Sequence, residues 1–268
     1  MAPIAKRTNI PAKSVALPIE HGAWGFLFEP LLAGVILAPS IGGGFISVMI
    51  VGAFLSRQPL KFYLGDLIAG KSLPRTGLAR KFAFIFAAIT IAGLAGSLLF
   101  ASWYSLIPLA AVAPLAVYLI AQDIARQSRQ LWPELVASVA LASSITAVAL
   151  AGGVAVEYSL AFWALMVARL IPSVLYVRSR LKLEKGKDYD RIFTVGSHLV
   201  ALAAVAGLYY SGLSSILTVT MAAFFAGRAA WGISGYAKSM SAKALGIREV
   251  IYGVLYALSI VIGYYLSF

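Results

Sequence analysis

A chain of 268 residues that is 61% hydrophobic and only 12% charged cannot bury its apolar surface in a water-soluble core, because soluble domains carry about 25% charged residues. Its 22 Lys and Arg outnumber its 10 Asp and Glu, a net charge of +12; beside lipid, that excess is read as topology-setting loop charge and not as a nucleic-acid footprint. With no cysteine, disulfides, thiolate metal sites and cysteine nucleophiles are excluded.

The first stretch, 1–20, holds Lys6, Arg7 and Lys13 but no apolar core followed by a small-residue cleavage site. It reads as a cytoplasmic tail ahead of a single transmembrane domain, 21–268. Apolar periods then place about nine spans, near 22–38, 44–56, 79–101, 106–121, 135–152, 158–168, 192–211, 215–227 and 247–266. Backbone groups in lipid must pair within their own segment, so each span is predicted to be a helix. The expected fold class is all-α, a polytopic membrane bundle.

The connections between these spans alternate. Those at 39–43, 102–105, 153–157 and 212–214 contain no Lys or Arg, while the tail and the remaining connections account for all 22 basic residues. The positive-inside bias therefore places the N-terminus in the cytoplasm and the C-terminus outside, in a plasma (inner) membrane. Glu157 is the one acidic residue expected on the outer side, as an interfacial loop charge. Trp103, Tyr104, Trp163, Tyr209, Tyr210, Tyr264 and Tyr265 fall near predicted ends and read as an aromatic belt.

Chemistry is concentrated on the inner face. The opening of the first span, PIEHGAWG at 18–25, puts Glu20 and His21 at a helix start and Glu29 deeper, before Pro30. A carboxylate inside a span is costly and should find a basic partner; Glu29 reads either as a structural ion pair or as a group handling substrate or protons. Glu20 and His21 read either as helix-capping, headgroup-level residues or as chemical groups. Two long inner connections follow: SRQPLKFYLGDLIAGKSLPRTGLARK at 56–81 and RLIPSVLYVRSRLKLEKGKDYDR at 169–191. Each opens on an Arg at the end of an apolar run, with Pro59 or Pro172 close behind, and their spacing suggests an internal duplication of a four-helix unit. Arg57 and Lys61 are one helical turn apart and share a face, with Asp66 on a following turn. Arg169, Tyr176, Arg178 and Arg180 offer a similar set. Guanidinium groups clasp phosphates bidentately and Lys adds a compact charge, although each basic residue taken alone is better explained by topogenic charge, a reading that fits Arg57 and Arg169 least. His198 stands alone inside a span. Neither metal-ligand spacing, nor a phosphate-cradling loop, nor a serine elbow is present.

These residues carry two resemblances. EHGAW at 20–24, RQPLK at 57–61 and IPSVLYVRSRL at 171–181 resemble the YwiC-like family of bacterial membrane proteins over nearly the whole chain. The layout is also similar to the UbiA-type intramembrane prenyltransferases. That likeness implies nine helices, an inner N-terminus and two polar motifs, after the second and sixth helices, facing a central cavity. In that family the motifs are Asp-rich and hold magnesium and a prenyl diphosphate. Here the matching places carry Arg57, Lys61, Arg169, Ser173 and Tyr176, with Asp66 the only acidic residue of the first stretch. The resemblance thus implies a lipid or prenyl (di)phosphate ligand held by cations directly, with no cofactor. In the enzymatic reading Arg57, Lys61, Arg169, Tyr176 and Arg178 bind substrate, and Glu29, Asp66 or His21 serves as catalytic base. The alternative is a non-catalytic binder or transporter of an anionic lipid or small anion. Membrane lipid is the expected partner and nucleic acid is not; the oligomeric state is left open.

Overall fold

The computed structural model describes residues 11–18 and 21–266. Their regular structure is entirely helical: a short α1 (Ala12–Ala16), then α2 (His21–Leu37), α3 (Ile41–Ile68), α4 (Pro74–Phe100), a 3-10 turn (Trp103–Leu106), α5 (Ile107–Ile124), α6 (Leu131–Ala151), α7 (Val156–Glu184), α8 (Arg191–Tyr210), α9 (Ile216–Gly232) and α10 (Ala242–Leu266). Each of the nine apolar segments falls on one of the helices α2–α10. Among the described residues seven helices are long and apolar enough to cross a membrane, with α2 and α9 shorter. Large apolar side chains lie bare on the outside of the bundle, among them Phe84, Leu99, Ile192 and Val200. A bundle with such a surface is a multi-pass membrane protein.

Helices in lipid gain little from hydrophobic burial against one another, so they associate by close packing of small residues. The α3–α4 hairpin follows that rule. Gly52 lies on Thr90, Gly93 on the Met49 backbone and Gly96 on the Phe45 ring, where an added methyl would collide in each case. Helix α6 is the central post: all nine residues from Ala142 to Leu150 are buried, and α2, α3, α5 and α7 all pack on it. One core, including Leu37, Ile145, Leu165, Phe225 and Tyr256, joins α2 and α6 to α7–α10. A second, including Leu27, Ile46, Phe54 and Val148, joins α2, α3 and α6.

Both polar stretches expected to be long inner loops are mostly helix. Helix α3 runs 28 residues to Ile68 and α7 runs 29 residues to Glu184, so Arg57, Lys61, Asp66, Arg169, Tyr176, Arg178 and Arg180 all sit on helices. Pro59 and Pro172 are absorbed inside them. The two helices stop in the same way. Gly70 and Gly186 each take φ +62, and the residue after each returns a 2.9 Å hydrogen bond, Lys71 N to Asp66 O and Lys187 N to Lys182 O. That left-handed turn is what glycine adopts without a Cβ penalty.

Candidate functional site: two charged clusters

Helix α3 carries Arg57 and Lys61 one turn apart, and both face Asp123 near the end of α5. Arg57 grips the carboxylate through Nε and Nη2, while Lys61 Nζ stands 3.8 Å from Oδ1. Asp123 is buried, but the two cations are 24% and 28% exposed. Two positive charges therefore share one negative charge at a partly open rim. Further along α3, Asp66 is engaged: Arg75 donates to it at 2.8 and 3.2 Å and the Thr76 hydroxyl at 2.7 Å. Arg75 also lies over the Phe62 ring. Those bonds take three of the roughly four lone-pair sites of the carboxylate and leave little of it for a general base.

Arg169 belongs to a second cluster. It lies thirteen residues into α7, about 20 Å along the helix at 1.5 Å per residue, and its side chain is 1% exposed. Its guanidinium donates to Ser173 Oγ and, at 2.9 Å, to the Glu249 carbonyl. Glu29 Oε1 stands 3.8 Å away and Glu249 Oε2 3.6 Å away. Glu249 in turn accepts from Arg228 on α9. The two guanidinium groups both lie against Phe225, and Arg228 also lies over Tyr176 and Tyr252. Two Arg and two Glu thus form a formally neutral quartet drawn from α2, α7, α9 and α10, lined with aromatic rings. Glu29 fits there because Gly253 on α10 has no side chain: a Cβ at that position would sit on its carboxylate.

The remaining residues spread outward. Arg178 donates to Glu134 Oε2 at 2.8 Å and to the Arg129 carbonyl at 3.0 Å. Arg180 is 2% exposed and braces the α9–α10 connection, donating to the carbonyls of Gly232 and Lys238 while pairing with Glu184. Arg57 and Lys61 thus meet at Asp123, Arg169 and Tyr176 meet around Arg228 and Phe225, and Arg178 pairs with a third carboxylate. Helices α3 and α7 each pack on α6. Glu20 and the His21 side chain lie outside the described residues. Among the described residues no three His, Asp or Glu converge as metal ligands.

Sequence reasoning passed over Asp123, Glu134, Arg228 and Glu249, the residues that organise these clusters. The available signal was position: each lies within a few residues of an apolar run, where a charge requires a partner.

The family model for YwiC-like protein matches residues 17–150, half of the chain. The chain belongs to the YwiC-like family. The match takes in EHGAW and RQPLK, along with Glu29, Asp66 and Asp123, and ends before Arg169, so the likeness at 171–181 lies beyond it. No curated protein matches the chain, and no solved structure matches it either.

Proposed function

We propose that this YwiC-like protein binds the phosphate or diphosphate head of a membrane lipid at the cytoplasmic rim of a nine-span, UbiA-like bundle in the plasma membrane, with its N-terminus inside and its C-terminus outside. The observation that carries the reading is the Arg57–Lys61–Asp123 group. Asp123 can neutralise only one of the two cations, and Lys61, at 3.8 Å, is held by charge without a hydrogen bond. A phosphate arriving at the open side of the pair meets guanidinium and ammonium donors together, the combination suited to it. The one-sided distribution of all 22 basic residues supports the topology.

Prenyl transfer is a second reading, favoured by the placement of Arg57 and Arg169 on the two longest helices, α3 and α7. It requires that cations replace metal ions in holding the leaving diphosphate. Because Asp66 is committed to Arg75 and Thr76, Glu29 is the better placed base of the two.

Purified protein in nanodiscs, titrated with phosphatidic acid, a prenyl diphosphate or inorganic pyrophosphate, tests both readings. Arg57→Ala and Lys61→Ala should each weaken binding of the phosphate lipids about tenfold, and Lys13→Ala should not. Asp123→Asn should strengthen it. Equal effects of all three alanine variants would reduce the group to topogenic charge. Tight binding of pyrophosphate alone favours a small-anion ligand, and pyrophosphate released from the prenyl diphosphate establishes catalysis.

A further inference from the structure

A small cavity opens beside the buried quartet, walled by Arg169, Ser173, His198, Ala222, Phe225 and Tyr256, with room for about one water molecule. His198 on α8 is 3% exposed. Its Nδ1 lies 2.9 Å from the Thr194 carbonyl. A carbonyl only accepts, so Nδ1 carries the ring proton and Nε2 of the neutral imidazole is a bare acceptor. Among the described residues Nε2 has no hydrogen-bond partner, and the same holds for the acceptors Glu29 Oε2 and Glu249 Oε2 and for the donors Arg169 Nε, Arg228 Nε and Arg228 Nη2. Glu29 is the group least provided for: its side chain is 4% exposed, its Oε2 accepts no hydrogen bond, and Arg169 stands 3.8 Å from its Oε1, beyond hydrogen-bond distance.

A metal cation would be opposed by two guanidinium groups at its side. A proton alone converts an unpartnered acceptor into a donor without needing space. We propose that Glu29, Arg169, Glu249 and Arg228, with the His198 cavity, form a proton-binding site within the membrane. A proton from bulk water forms an O–H bond at Glu29 Oε2, and the quartet passes from zero to +1; release reverses both changes. A water in the cavity can take the Arg169 Nε–H and give its own hydrogen to His198 Nε2, which steadies the guanidinium that stands beside Glu29.

The groups around the site make this assignment specific. Helix α2 contributes Glu29, α7 Arg169 and Tyr176, α8 His198, α9 Arg228, and α10 Glu249, Tyr252 and Tyr256. The Tyr256 hydroxyl is committed to the Leu165 carbonyl at 3.1 Å. Helices α3 and α6 also pack on α2, but Arg57, Lys61 and Asp66 on α3 and Glu134 on α6 are engaged with Asp123, Arg75 and Arg178.

The test is infrared difference spectroscopy of the full chain in nanodiscs as the buffer is stepped from alkaline to acid, in light and heavy water. The expected result is a protonated-carboxyl band that shifts in heavy water and with isotope-labelled glutamate. It should be lost in Glu29→Gln and kept in Glu157→Gln, at the start of α7. Wild-type spectra without a heavy-water-sensitive buried carboxyl band overturn the proposal whether or not any variant folds, as do identical bands in wild type and Glu29→Gln. No lipid ligand enters the measurement, so its outcome is independent of the rim site at Arg57 and Lys61.

Discussion

Arg169→Met removes the one cation that Glu29 and Glu249 share. The side chain is almost wholly buried, so no solvent screening softens the change, and methionine fills most of the space against Phe225 without a charge. Removing one partner of a buried ion pair costs about 3–5 kcal/mol, because the abandoned charge stays in a medium that cannot solvate it. Loss of the cation–π contact with Phe225 adds about 1 kcal/mol. The folded-to-unfolded ratio should therefore fall by roughly three to four powers of ten. The physical cause can be isolated by a double substitution. Arg169→Met with Glu29→Gln leaves only the balanced Arg228–Glu249 pair, and should recover roughly 1–3 kcal/mol of the loss through coupling between neighbours. Denaturant titration of the detergent-solubilised protein, followed by tryptophan fluorescence, measures all four members of the cycle. If Arg169→Met lies within about 0.5 kcal/mol of wild type, as an exposed substitution would, or if the double variant is no more stable than Arg169→Met, then the quartet does not hold α2, α7 and α10 together.

Gly253→Ala should destabilise the protein by about 1–3 kcal/mol in the same titration, since its methyl lands on the Glu29 carboxylate; Glu29→Ala in the same chain should make it tolerable. Arg180→Ala leaves the carbonyls of Gly232 and Lys238 without their charged donor, and limited proteolysis should then cut the 233–241 connection faster while α3–α6 remain intact. Gly186→Ala forces a side chain into φ +62 and should cost about 1 kcal/mol, with a matching cost at Gly70 and none at Gly77, which lies inside α4 with open space around it.

The two inner stretches show why part of this organisation was hidden in the sequence. Residues 57–68 and 169–184 looked like loops because polar residues end the apolar pattern, yet polarity ends only the lipid-facing part of a helix. The backbone ladder continues into the aqueous zone until something stops it, and the stops, Gly70 and Gly186, are visible in the sequence as Ala-Gly-Lys and Lys-Gly-Lys. Pro59 and Pro172 misled in the same direction, since a proline within a membrane bundle can be accommodated by its neighbours without ending the helix. The need of Glu29 for a basic partner was legible from the cost of an isolated carboxylate in a span. That the partner is Arg169, 140 positions away in the chain, was not.

By itself, the sequence determined the solvent and the element type. A chain with this apolar content has nowhere to go but a bilayer, and apolar runs of this length cross one as helices, so the nine segments follow from the local order of residues. The pairing of charges depended on tertiary structure. Arg57 reaches Asp123 because α3 and α5 share α6 as a neighbour, and Arg169 reaches Glu29 and Glu249 because Gly253 leaves room between α2 and α10. Helix formation is settled by contacts a few residues apart, whereas the partner of a buried charge is settled by which helices lie side by side, and that depends on packing along the whole chain.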